Sequence, residues 1–202
     1  WPCETGLNTT TQSLKMQEKM FSFSSHVAKA IGVDFGAHKV DINIGKDGDI
    51  TLIELTARLS GGFHCQYASP LAFGSNDIRA ALKLAVGMPI DLDDNEHKWN
   101  RGSAVRAVFP QPGIVNSIEG LQKARNMMGV EEVFVWCKQG DEVGPYLNSV
   151  DRVAFVIAGG KKQNRSKVLQ VKQIRRNNRS IQTNRKGYKP SVRRQRYKLQ
   201  PH

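Results

Sequence analysis

Residues 39–57, KVDINIGKDGDITLIELTA, constrain the fold more than any other stretch of the chain. Val40, Ile42 and Ile44 alternate with Lys39, Asp41 and Asn43, and beyond KDGD a second run carries Ile53, Leu55 and Ala57 at the same period. Alternation on both sides of an Asp-Gly dipeptide reads as an antiparallel hairpin. With Asp47-Gly48 as a two-residue turn, Lys46 faces Asp49, Asn43 faces Leu52 and Asp41 faces Glu54, with Lys39 and Thr56 next on that face. Val40, Ile42, Ile44, Ile53, Leu55 and Ala57 take the other face and give it a core.

Residues directly opposite in such a pair have β-carbons roughly 4.5–5.5 Å apart, and like charges so placed repel. Asp41 and Glu54 are therefore either well solvated or neutralised by a cation between them. Hard oxygen donors suit Mg²⁺, which takes one or two carboxylates and completes its shell with substrate phosphates and water. The plainer alternative is an exposed face with no metal, and a one-residue slip in register removes the pair altogether. Arg58, four residues after Glu54, is placed to meet anionic oxygens or to form a surface ion pair. Ser60-Gly61-Gly62 frees the backbone to approach a ligand and expose N–H donors, or simply to turn.

The rest of the chain reads as alternating short elements. SSHVAKAIG gives a helix over residues 24–31 ending at Gly32, after a polar start with little period before Leu14, Met16 and Met20. SNDIRAALKLAVG gives a second helix, capped by Asn76 or Ser75, with Ile78, Ala81, Leu82, Ala85 and Val86 on one face and Gly87 at its end. The acidic residues 91–96 form a linker or domain edge. Beyond them SAVRAVF reads as a strand, SIEGLQKARNMMG as a helix capped by Ser117 or Asn116, and EEVFVWCK and DRVAFVIAGG as strands. A thin apolar face predicts a last helix over residues 164–176.

Charge divides the chain sharply. Residues 161–202 hold 15 of the 30 Lys and Arg and no Asp or Glu, leaving residues 1–160 with 15 basic against 18 acidic groups, a net charge of −3. The basic end has no sustained period and is expected to be disordered when alone. Three scattered cysteines, Cys3, Cys65 and Cys137, suggest neither a disulfide framework nor a metal knuckle and fit a reducing cytoplasm. No apolar run approaches the roughly 20 residues of a membrane helix, and no targeting peptide is legible at the start. His64-Cys65 beside the Gly pair reads as a rim or core pair, because no orienting acid is placed by sequence.

KVDINIGKDGDITLIELTARLSGGF resembles the metal-binding hairpin of the ATP-grasp superfamily, and more narrowly that of carboxylate–amine ligases related to biotin carboxylase and carbamoyl-phosphate synthase. The likeness spans roughly residues 24–170. It implies an α+β fold: the C-terminal lobe of an ATP-grasp unit, an antiparallel sheet with helices, then a small α/β domain and a basic tail. The corresponding boundaries are residues 1–95, 96–176 and 177–202. The resemblance assigns Mg²⁺ or Mn²⁺ to Asp41 and Glu54, with Thr56 where the family usually has Asn. It gives Arg58 the phosphoryl group or acyl phosphate, makes Asn43, Leu52 and Glu54 border ATP, and lays Ser60, Gly61 and Gly62 along the substrate. The implied reaction joins a small carboxylic acid to an amine or similar nucleophile.

The family's phosphate-binding Lys, glycine-rich loop and adenine hinge belong to an N-terminal lobe, and none is found before residue 24. The chain therefore reads as the C-terminal part of a ligase whose N-terminal domains are missing partners, inactive alone. Two other readings stay open. RRNN, NRKGYK and RRQRYK mix basic residues with Tyr188 and Tyr197, as in a nucleic-acid-binding tail. A non-catalytic remnant that binds metal or ATP is the third.

Overall fold

The computed structural model describes residues 4–91, 94, 98, 101–160 and 181–186. A short strand, β1 (Gly6–Asn8), leads to helix α1 (Leu14–Ala30). The Ser13 hydroxyl caps α1 by accepting the Met16 N–H at 3.3 Å, and the chain leaves the helix through Gly32 at φ 79°. The helix thus begins ten residues before the expected start at Ser24. Leu14, Lys15, Met16, Gln17, Glu18, Lys19 and Met20 are good helix formers, so propensity and the cap extend a helix whose apolar period is sparse.

Strands β2 (Lys39–Ile44) and β3 (Ile50–Thr56) form the expected antiparallel hairpin, and the Lys19 ammonium donates to the Gly48 carbonyl at 2.7 Å from α1. A π-helical turn (His64–Ala68) runs on into α2 (Ser69–Phe73), which Gly74 ends at φ 74°. Helix α3 (Asp77–Ala85) is capped by the Asn76 side chain, which accepts the Arg79 N–H at 3.0 Å. The acidic run after α3 is no loose linker at Asp94. That residue is fully buried, its carboxylate held by Lys83 at 2.6 Å and by Arg79, while Asp91 also binds Lys83.

A four-stranded antiparallel sheet in the order β1-β4-β8-β6 joins β1 to β4 (Gly102–Val108), β8 (Ala154–Gly160) and β6 (Val130–Val135). Beside it lies a three-stranded sheet, β7 (Glu142–Val143), β5 (Gly113–Ile118) and β9 (Ile181–Asn184), in the order β7-β5-β9. Strand β8 joins the two cores. Phe155 and Ile157 pack with Ala68, Val105 and Ala107, while Ala154 packs with Val115, Val143 and Ile181. This is the expected α+β architecture of antiparallel sheets with helices.

Two expectations change here. Asn116 and Ser117 do not cap a helix. They lie in β5, whose Val115 is buried, and the helix that follows, α4 (Leu121–Arg125), is only one turn. β-Branched Ile114, Val115 and Ile118 favour the strand, and Gly120, at φ 69°, sets where the helix begins. In the basic end, Ile181–Asn184 is a strand against β5, because Ile181 finds a buried seat that local sequence does not announce. The helix expected over residues 164–176 and the tail from residue 187 lie outside the described residues. Among the described residues no helix is long and apolar enough to cross a membrane.

Candidate functional site

The hairpin brings Asp41 directly opposite Glu54, as the sequence predicts, but by a different route. The turn is not the two residues Asp47-Gly48. The Gly45 N–H bonds the Asp49 carbonyl at 2.8 Å and the Gly48 N–H bonds the Gly45 carbonyl at 3.0 Å, with Gly48 left-handed at φ 80°. This three-residue loop pairs Ile44 with Ile50, Asn43 with Thr51 and Ile42 with Leu52. Left uncorrected, that register would set Asp41 against Ile53. A bulge at Ile53 absorbs one residue and returns Asp41 to Glu54, Val40 to Leu55 and Lys39 to Thr56.

The correction has a cost for two assignments. Leu52, paired with Ile42, shares the apolar face rather than that of the carboxylates, so it no longer lies beside Asn43. Ile53, the bulged residue, is 66% exposed and holds no core. Asn43 stays on the carboxylate face, opposite Thr51.

Repulsion within the pair is relieved by the protein itself, through one cation between two carboxylates. The Lys39 ammonium donates to Asp41 and, at 3.4 Å, to Glu54. Burial works against the Lys39 ammonium, but its bonds and charge interactions with Asp41 and Glu54 outweigh this and raise its pKa above the ordinary lysine value. Glu54 is held below the usual carboxylate range, first by the Thr56 hydroxyl donating at 2.8 Å, then by Lys39, with a smaller contribution from the Arg58 charge. Thr56 therefore supports the Glu54 carboxylate. Arg58 is exposed, and its Nη1 donates to the Leu59 carbonyl at 2.9 Å.

Among the described residues no three His, Cys, Asp or Glu side chains cluster as a self-sufficient metal cage. The donor set of Asp41 and Glu54, both with exposed side chains, fits a hard divalent ion that takes two carboxylates and finishes its shell on phosphates and water. Burial is the main cause that pushes the Cys65 and Cys137 thiols up, so neither is a ready thiolate at neutral pH.

The chain then turns through Ser60, Gly61 and Gly62 into Phe63. A side chain at Gly61 would meet open space, whereas Gly62, at φ 62°, adopts a backbone suited to glycine. Phe63 is left-handed too, at φ 65°, where a bulky residue costs of order 1–3 kcal/mol. Its ring lies flat on two aromatic rings of β6 and the residue after it: Phe134 at 4.7 Å and 3°, and Trp136 at 5.8 Å and 9°. Such stacks contribute about 0.5–1.5 kcal/mol each beyond area burial, enough to offset the strain. Phe63, Trp136 and Arg152 then line an open pocket of about 450 Å³ with Gly62, Gln66 and Phe155. Sequence reasoning singled out none of the three. The available signals were a large aromatic directly after Gly-Gly and the Phe134/Trp136 spacing of two on one strand.

Comparison with known proteins now bears on this geometry. Residues 106–168 match the model of the L-amino acid ligase C-terminal domain 2. An uncharacterized protein, y4rH, of Sinorhizobium fredii (strain NBRC 101917 / NGR234) is 25% identical over 130 residues, covering 64% of this chain and 26% of that protein. The crystal structure of L-amino acid ligase from Bacillus licheniformis is similar with a TM-score of 0.77 at 16% identity, over 92% of this chain and 45% of that one. That of phosphoribosylglycinamide synthetase from Anaerococcus prevotii gives 0.71 at 19%, over 90% and 46%. This chain thus spans about a quarter of the curated relative and under half of each enzyme. It shares the fold of the matched part of those two enzymes, and its residues 106–168 are similar to the L-amino acid ligase C-terminal domain 2.

Proposed function

We propose that this chain supplies the metal- and phosphate-facing half of an ATP-dependent carboxylate–amine ligase, working in the cytoplasm with N-terminal domains that complete the ATP clamp. The observation that carries the reading is the Asp41–Glu54 pair, brought face to face by a compensating bulge and followed by an exposed Arg58. In this reading residues 1–95 are the partial ATP-grasp unit and residues 96–176 the small C-terminal domain, with a basic tail after them. The substrates are a small carboxylic acid and an amine.

A carboxylate oxygen of the acid attacks the γ-phosphorus of ATP, the bond to the ADP oxygen breaks, and an acyl phosphate forms. The amine nitrogen then attacks the acyl carbon, gives up a proton, and inorganic phosphate leaves with the bonding electron pair. Mg²⁺ or Mn²⁺, when bound, neutralises charge on the transferring oxygens. Asp41 and Glu54 would hold that ion, the Thr56 hydroxyl donates to Glu54 and orients it, and the Lys39 ammonium holds both carboxylates from within the protein. Asn43 borders the nucleotide on the same face. Arg58 is the permanent positive charge for the phosphoryl oxygens, and Gly61 leaves open space beside the acid.

The test is ATP-dependent amide formation by the full-length protein. Glu54→Gln and Arg58→Ala are each expected to lower kcat/KM by about 10²-fold or more, as losing a transition-state charge contact does. Unchanged ligation in both variants overturns the assignment.

A further inference from the structure

The pocket beside Gly62 has a chemistry that the ligase reading leaves unused. Three of its lining residues are aromatic and Gln66 and Ser149 are polar: Phe63, the all but buried Phe155, and Trp136, which is stacked on Phe63 by one face, set edge-on to Phe155 at 5.2 Å and 56% exposed. Its one charged wall residue is Arg152, whose side chain is only 14% exposed. The guanidinium is fixed on three sides. It lies 4.8 Å over the Phe155 ring, its Nε donates to the Ser149 carbonyl at 2.5 Å, and its Nη1 donates to the Glu4 carboxylate at 3.0 Å.

Glu4 shows what this guanidinium takes. It belongs to the segment before β1, far from Arg152 in sequence, and its Oε2 lies where a side chain on Gly62 would meet it at 3.7 Å. A carboxylate of the chain itself thus sits on a preorganised arginine, at the lip of an aromatic pocket, next to the loop assigned to substrate. The Glu4 side chain is 42% exposed, so solvent reaches the carboxylate that sits on Arg152.

We infer that this pocket binds a small aromatic amino acid, its carboxylate taking Glu4's place on Arg152 and its ring lying against Trp136. The carboxylate held by Arg152 is unavailable for phosphorylation, so within the ligation proposed above, on which this role rests, the bound molecule is the amine partner. Its nitrogen is the nucleophile that displaces phosphate from the acyl phosphate, while its own carboxylate stays free and anchored.

Binding is measured on the 202-residue chain without ATP or divalent metal, by following the Trp136 indole N–H in ¹H–¹⁵N NMR spectra, assigned through Trp136→Phe. L-Phenylalanine and 3-phenylpropionate are expected to shift that signal saturably. Phenethylamine, which lacks the carboxylate, and L-alanine, which lacks the ring, are expected to bind about tenfold more weakly or worse, the loss of a charge-assisted bond or of a buried ring. Glu4→Gln removes the competitor and tightens L-phenylalanine severalfold, and Arg152→Gln weakens it at least as much as removing the carboxylate does. If Arg152→Gln fails to fold, Glu4→Gln carries the test. No saturable shift with L-phenylalanine, equal binding of phenethylamine, or Glu4→Gln leaving affinity unchanged or weaker each overturns the proposal. Because the assay contains no nucleotide, its failure leaves the Glu54 and Arg58 results standing, and their failure leaves the pocket standing.

Discussion

The two ends of the described chain bury their apolar residues very differently. In the sheet region Val105, Val115, Val156 and Ile157 are all but sealed from solvent, and β8 is covered on both faces. In the region of α1 and the β2–β3 hairpin, Ala28 is the one buried hydrophobic before Cys65 among the described residues, while Phe21, Phe35 and Ile53 are each more than 60% exposed. The sheets close a core of their own. The hairpin instead presents side chains outward. The packed core and the facing carboxylates thus lie in separate regions, joined through the Gly62–Phe63 turn.

The strongest way to break that contrast is to empty one side chain from each region. Phe155→Ala is expected to destabilise the chain by about 3–5 kcal/mol, the cost of a large core cavity, whereas Ile53→Ala should stay within about 0.5 kcal/mol. Urea unfolding midpoints at matched slope measure both, and equal losses would show that the hairpin has a hidden core.

A smaller effect separates the regions by pH. Lys83 foremost, against the cost of burial and with help from Arg79, lowers the Asp94 carboxyl from 3.8 to about 2. A depressed carboxylate stabilises the fold above its unfolded pKa and loses that contribution as pH falls through its folded value. The part due to Asp94 is therefore complete above about pH 3.8 and disappears toward pH 2. Asp94→Asn should be less stable than the parent at neutral pH and show a flatter decline between those limits, read from denaturation midpoints across the acid range.

The smallest effect belongs to the exposed face. Lys39→Met removes the ammonium between Asp41 and Glu54 and should tighten Mn²⁺ binding severalfold, measured by the loss of the free-ion electron paramagnetic resonance signal. It should leave thermal stability nearly unchanged, since exposed ion pairs contribute little.

Sequence carried the hairpin and the facing carboxylates because period-two alternation is a local signal. It could not carry the loop and the bulge. Two departures from the assumed register cancel at Asp41 and Glu54 and remain uncancelled at Leu52, so the pair was legible and its neighbour was not. The Asn76 cap and the end of α1 at Gly32 were readable for the same local reason. The strand at Ile181 was not, because its partner residue in β5, Ile118, is far away in sequence and no local pattern reports a distant seat. The aromatic pocket escaped for a similar reason. Phe63, Trp136 and Arg152 converge only after β6 and β8 pair beside the turn. Lys39 was placed on the right face by register, yet its role as the cation between the acids needed the side-chain geometry.

The extra residue at Ile53 also behaves as a slip joint in the hairpin. The ladder runs one step out of phase between its turn end and its site end, and all of that slack is taken up at one exposed, unpacked position. Deleting Ile53 would straighten the ladder and still leave Asp41 opposite Glu54, as would one residue inserted between Asp41 and Ile42. The turn can therefore vary in length while the acidic pair stays aligned.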